Sequence, residues 1–137
     1  MILVHGNIRK QGGEQMESIL TSIKKMLGIT EDCEDFDTDV IMHINSVLTI
    51  LTQMGVGPTN GFSITDKTAR WDEFISNKMY FEPVKTYIYL KVRLIFDPPL
   101  SSAVMEAMKN MISELEWRLN AAAETKSLQG EEVDQNG

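Results

Sequence analysis

Six acids crowd into nine residues at Glu31, Asp32, Glu34, Asp35, Asp37 and Asp39, the stretch of this chain best equipped to hold a cation. Asp35, Asp37 and Asp39 match the first three ligand positions of an EF-hand loop. The sharp-turn glycine then falls on Val40 and the bidentate glutamate on Ser46, so the calcium pattern fails. The acids suit a helix start instead. Asp35 or Asp37 is expected to cap it, and the others favour the positive end of its dipole.

The remaining chemistry-bearing residues are sparse. The two histidines, His5 and His43, have no second ligand at metal-binding spacing, so no zinc site is expected. Cys33 is the sole cysteine and lies among carboxylates, a setting that blunts thiol reactivity; it reads as a spectator. A single thiol forms no internal disulfide, which fits a reducing compartment or indifference to redox state. Gly55, Gly57 and Gly61 do not form a phosphate cradle, because the GxxxxGK[ST] pattern and a preceding strand are both missing. An enzyme needs convergent groups, such as a nucleophile with its base or a metal set. The expectation is therefore no catalytic residue, no metal and no cofactor.

The chain has 137 residues and 42% hydrophobic content, enough for one domain with a real core. Its 13 basic residues stand against 20 acidic ones, a net charge of −7. Phosphate binding draws on clustered Lys and Arg, so nucleic-acid readout is disfavoured. The same charge suits a surface that DNA passes without sticking. No apolar run approaches the ~20 residues of a membrane span.

Residues 1–15 (MILVHGNIRKQGGEQ) lack a signal-peptide core, since Ile2, Leu3 and Val4 meet His5, Gly6 and Asn7 at once. Gly12-Gly13-Glu14-Gln15 before Met16 is what a bacterial ribosome-binding site encodes when read in frame. This leader is expected to be an over-extended gene start, with translation from Met16; the other reading is a genuine flexible arm.

From Met16 on, helices dominate. Met16, Ile19, Leu20, Ile23, Met26 and Leu27 form one stripe, with Glu17 early and Lys24 and Lys25 late. Gly28 is placed to end that helix in a Schellman motif, with Ile29 packing back on Ile23. A second helix carries Val40, Ile41, Ile44, Val47, Leu48 and Leu51 and stops at GVGP. The loop VGPTNGFSITDKT is expected to be pinned by Phe62 and Ile64, before a short helix with Trp71, Phe74 and Ile75.

YIYLKVRLIF alternates like a strand, yet Val84, Ile88, Lys91, Val92 and Ile95 also fit a helical face. A strand needs partners, and apart from residues 2–4 and 62–65 nothing else reads as one. The segment is therefore a helix, apolar on most sides and central in the bundle, with Pro83 in its first turn. Asp97-Pro98-Pro99 ends it, and Ser101 or Ser102 caps the next helix. That last helix runs through Val104, Met105, Met108, Ile112, Leu115 and Leu119 to about Ala123, with Glu114 and Arg118 placed to pair. Trp117 points away from the Ile112 and Leu115 stripe. Either another part of the chain, such as the 56–68 loop, covers it, or it belongs to an interface. Residues 124–137 are polar and acidic and read as a mobile tail.

The stretches INSVL, GVGP, KTYIYLKVRLIFDPP and ELEWRLN occur in an order that resembles the head–tail connector (adaptor, or head-completion) proteins of tailed bacteriophages and prophages. The likeness spans residues 16–121. It implies an all-α domain over 16–123, a bundle of about four main helices and a short one, between the 1–15 leader and the 124–137 tail. It also implies a ring beneath the portal, usually of twelve subunits. Such a ring sits in the virion neck, is assembled in the host cytoplasm, extends the DNA channel and receives the next stopper or tail protein. The family is not enzymatic. Carried over by motif are Asp97, Pro98 and Pro99 as an interhelical corner, and Glu116, Trp117 and Arg118 as a subunit or portal contact. The resemblance further implies that the C-terminal region docks on the portal. An acidic lumen is expected. The competing reading is a small helical partner-binding or regulatory protein outside any virion, which explains the stripes but not the order of the motifs.

Overall fold

Ser18 starts the first helix: its Oγ accepts the Thr21 N–H at 3.1 Å, satisfying one of the donors that every helix start leaves open. The computed structural model describes residues 17–136, with side chains through Lys126; the rest, including the 1–15 leader, lies outside the described residues. The helices are α1 (Ile19–Met26), α2 (Asp37–Gln53), α3 (Trp71–Phe74), α4 (Phe81–Phe96) and α5 (Ser102–Asn136), with a 3₁₀ turn at Lys78–Tyr80 before α4. Extended pairing among the described residues is limited to one isolated bridge, Ser18 with Arg70. Among the described residues the fold is all-α, four longer helices and one short, as expected.

The first helix starts three residues later than the stripe from Met16 implies. Glu17 and Ser18 pair instead with the chain before α3: Trp71 N–H meets the Glu17 carbonyl at 3.3 Å, and Ile19 N–H the Ala69 carbonyl at 2.9 Å. α1 ends in the expected Schellman motif. Ile29 N–H reaches the Lys24 carbonyl and Gly28 N–H the Lys25 carbonyl, with Gly28 at φ +86°. Ile29 then packs against the core. α2 closes in the same way, Val56 N–H on the Leu51 carbonyl.

The capping expectation for α2 fails. Its N-cap position is Phe36, with no side-chain cap, and Asp37 and Asp39 lie in the first turn. The Asp37 carboxylate is drawn elsewhere. Lys24 on α1 is 3% exposed, and its ammonium meets Asp37 Oδ1 at 2.8 Å, the Cys33 carbonyl at 2.7 Å and the Glu31 carbonyl at 3.2 Å. A buried ammonium needs such partners, and the acidic loop folds over α1 to supply them.

YIYLKVRLIF is helical, as the lack of strand partners requires. α4 packs against α1, α2 and α5, and buries Val84, Tyr87, Ile88, Leu90 and Val92. The long loop before α3 is fastened to α2 by Asn45. Its side chain exchanges two hydrogen bonds with the Ile64 backbone, at 2.8 and 2.9 Å, while Ile64 is buried and Phe62 leans on Phe74. Trp71 is fully buried, its indole N–H donating to Ser22 Oγ at 2.7 Å.

Ser101 caps α5, its Oγ accepting from Val104 N–H at 3.2 Å. α5 rests chiefly on α4 through Ile112 and Leu119, while Val104, expected in the stripe, is exposed. The helix passes Ala123, the expected end, and reaches Asn136. The segment ETKSLQ after Ala123 holds no Gly or Pro to stop it. One interior glycine, Gly130, costs only about 1 kcal/mol against Ala, less than a proline would.

Candidate functional site

At about 100° per residue, Trp117 lies about 150° around α5 from Ile112 and Leu119, the two residues that bury the helix against the body. The helix thus has a docked face and a free face. Trp117 is on the free face and 73% exposed, the 56–68 loop giving it no cover. A tryptophan held out in water forgoes the burial that usually stabilises it, about 1.5–3 kcal/mol for a large apolar side chain.

The two neighbours of Trp117 point elsewhere. Glu116 turns toward α4, where its Oε2 accepts the Tyr87 hydroxyl at 2.8 Å and lies 3.9 Å from Lys91 Nζ. Burial pushes the Tyr87 phenol well above its ordinary pKa, and the hydrogen bond and charge of Glu116 push it the same way. Glu116 therefore fastens two helices of the same chain. Arg118 is exposed and pairs along the helix with Glu114, Nη2 at 2.8 Å and Nε at 3.0 Å from Oε2. Such a surface pair contributes only tenths of a kcal/mol. Of the three, Trp117 and Arg118 share the outward side and Glu116 does not.

The Asp97-Pro98-Pro99 corner joins α4 to α5. Asp97 leaves the helix at φ −151°, ψ 70°, outside the α region that a following proline disfavours. Arg93 braces it: Nε donates to the Asp97 carbonyl at 2.5 Å and Nη1 to the Tyr89 hydroxyl at 3.0 Å. Neither proline has an N–H to extend the ladder. The corner holds Ile95 and Leu100 out in solvent, and beside it half-exposed Phe36 meets Phe96 edge-on at 5.6 Å between ring centres. Ile95 continues the α4 face of Ile88 and Val92 beyond the packed body, which sequence periodicity alone did not distinguish from core.

The acids of the 31–39 loop do not converge. Among the described residues, no group of three or more His, Cys, Asp or Glu side chains is placed to hold a metal ion. Nor is any described helix long and apolar enough to cross a membrane. The geometry thus offers outward apolar side chains on a rigid frame, a means of contact with other proteins.

The sequence reading missed Tyr87 as the partner of Glu116. The signal was present: a tyrosine on the central helix, buried from several sides, must find an acceptor for its hydroxyl. A family model described as phage connector protein matches residues 19–126. Comparison with curated proteins and with solved structures gives no match.

Proposed function

Since the chain belongs to the phage connector protein family, we propose that it is a structural head–tail connector of a tailed phage or prophage. Copies of the chain form a ring under the portal, extend the DNA channel and receive the downstream stopper or tail protein. The ring belongs to the virion neck, with subunits made in the host cytoplasm. The observation that carries this reading is Trp117, exposed on the free face of a helix whose other face is docked. Tryptophan is a favoured anchor where protein surfaces meet. Its placement suits a contact with a neighbouring subunit or the portal.

The charge balance supports the channel role. With 20 acids against 13 bases, the surface on average repels phosphate, and a lumen with more Asp and Glu than Lys and Arg lets DNA slide. The family is structural, and this reading assigns the chain no reaction and no cofactor.

The test is native mass spectrometry and electron microscopy of the full chain, alone and mixed with the portal from the same genome. The expected result is a closed ring on the portal, with an acidic lumen. A chain that stays monomeric even with the portal would overturn the proposal, and a ring with a basic lumen would overturn the account of DNA passage.

A further inference from the structure

We infer that Trp117 of one subunit seats in a groove of the next, and that this repeated head-to-tail contact closes the ring. The inference rests on the ring reading above and names the two faces that meet.

The groove has a volume of about 710 Å³ and lies between the loop after α2, the region of α3, and the second half of the body-bound part of α5. Its floor includes Val56, Pro58, Phe74, Ile75, Leu119 and Ala123, of which Val56, Phe74, Ile75 and Leu119 are buried. This volume is in the ~300–1,000 Å³ range of clefts that enclose a small molecule, ample for an indole and a neighbouring side chain. The close approach of loop and ring requires Gly57, because a Cβ there would overlap the Phe74 ring. Asp72 and Glu73 stand exposed on the α3 rim.

Trp117 and the groove share one helix but face different ways. Leu119, on the groove floor, lies about 160° around α5 from Trp117. A subunit therefore cannot fill its own groove with its own indole. Each copy offers one knob and one groove on unlike surfaces, the arrangement of a heterologous interface. Such an interface repeats from copy to copy until it closes into a ring. Two Trp117 side chains meeting across a two-fold axis would instead stop at a dimer.

Charge selects the same pairing. Arg118, next to Trp117, gives Nε and Nη2 to Glu114, while its Nη1 has no partner among the described residues. An indole entering the groove brings that guanidinium toward a rim that carries Asp72, Glu73 and Lys126. Asp72 lies 3.4 Å from Arg70 Nε and Glu73 Oε1 accepts the Arg70 N–H, so the second Glu73 oxygen is the acceptor that Arg118 meets. Opposite charges across an interface set the orientation in which two surfaces dock.

The experiment uses the full chain under conditions where the wild type forms rings. Trp117→Ala removes the knob, and Ala122→Tyr fills the groove from its α5 wall. Each variant alone is expected to lower the ring fraction in native mass spectrometry at least about ten-fold, with wild-type helicity by circular dichroism. Mixed one to one, they are expected to form a heterodimer, the intact Trp117 of one entering the intact groove of the other. Fluorescence gives a readout that needs no fold-sensitive variant: assembly should blue-shift wild-type emission and protect it from acrylamide, and leave Trp117→Ala, with only buried Trp71, unchanged. A ring that survives either variant, or emission that does not shift on assembly, overturns this contact alone. A wild-type chain that forms no ring, even on the portal, overturns the ring reading and this contact with it.

Discussion

The Tyr87 hydroxyl donates to Glu116 Oε2 across 2.8 Å, and this bond fixes the helix that carries Trp117 to the helix at the centre of the bundle. The outward direction of Trp117 follows from it. With Glu116 held inward and Leu119 buried, the residue after Glu116 has only solvent to face. The same bond sets a pH limit on the fold.

Tyr87→Phe removes the donor and leaves Glu116, 42% exposed, free to rehydrate, so the cost should be about 1 kcal/mol. The larger signature is in alkali. The unfolded chain releases the tyrosine proton near the ordinary value of 10.0, whereas the folded chain holds it further, first because of burial and then because of Glu116. Stability from this group is therefore full below that value and falls as pH rises above it. Urea denaturation should show the wild type losing more stability than Tyr87→Phe between about pH 8 and about pH 11. Equal losses would remove Tyr87 as the titrating group.

Lys24 offers a sharper stability test because its neighbour is a control. Lys24→Met keeps much of the apolar stem but leaves the Asp37 carboxylate and two loop carbonyls without their ammonium. The expected loss is about 2–4 kcal/mol in chemical denaturation. Lys25→Met, on the exposed side of the same helix, should stay within about 0.5 kcal/mol of wild type. Similar losses for both would mean that the ammonium does not organise the 31–39 loop.

Gly57 and Gly61 have nearly the same backbone, φ +89° and +93°, but different surroundings. A Cβ at Gly57 overlaps Phe74, and one at Gly61 meets open space. Gly61→Ala should cost about 1 kcal/mol from the positive φ alone. Gly57→Ala adds displacement of the Phe74 ring and should cost at least about 1–3 kcal/mol more. Thermal melts of the two variants measure the difference. Equal costs would mean that Phe74 moves freely and that the groove floor is soft.

The long helices were legible because their apolar residues recur at helical spacing and their ends carry Gly, Pro and Ser. YIYLKVRLIF was legible only through a global argument: ten alternating residues with no partner strand cannot satisfy their backbone. What stayed hidden were polar contacts between distant segments. Asn45 reads as an ordinary helix-surface residue until Ile64, nineteen positions away, is placed beside it. Lys24 reads as a late-helix cation until the acidic loop closes over it. The Asp37 cap failed for the same reason, since local capping competed with a buried ammonium and lost. Trp117 was legible as an oddity by angle alone, and the groove was not, because its walls come from three separated parts of the chain.

The corner prediction separates assembly from folding. Pro98 and Pro99 contribute no side chain to the buried core, and the Arg93 brace on the Asp97 carbonyl does not depend on either ring. Their effect on the fold is to limit the backbone between α4 and α5, and so the angle at which α5 leaves. Pro98→Ala with Pro99→Ala should therefore lower subunit stability by only about 1 kcal/mol, the loss of unfolded-state restriction. The same change lets the start of α5 swing, and with it Leu100 and Val104, which are already exposed. In a ring, a small angular error recurs at every contact and prevents closure. Assembly on the portal, read by electron microscopy, should thus fall far more than the melting temperature. Normal rings from a strongly destabilised subunit would reverse the assignment and make the corner a folding element.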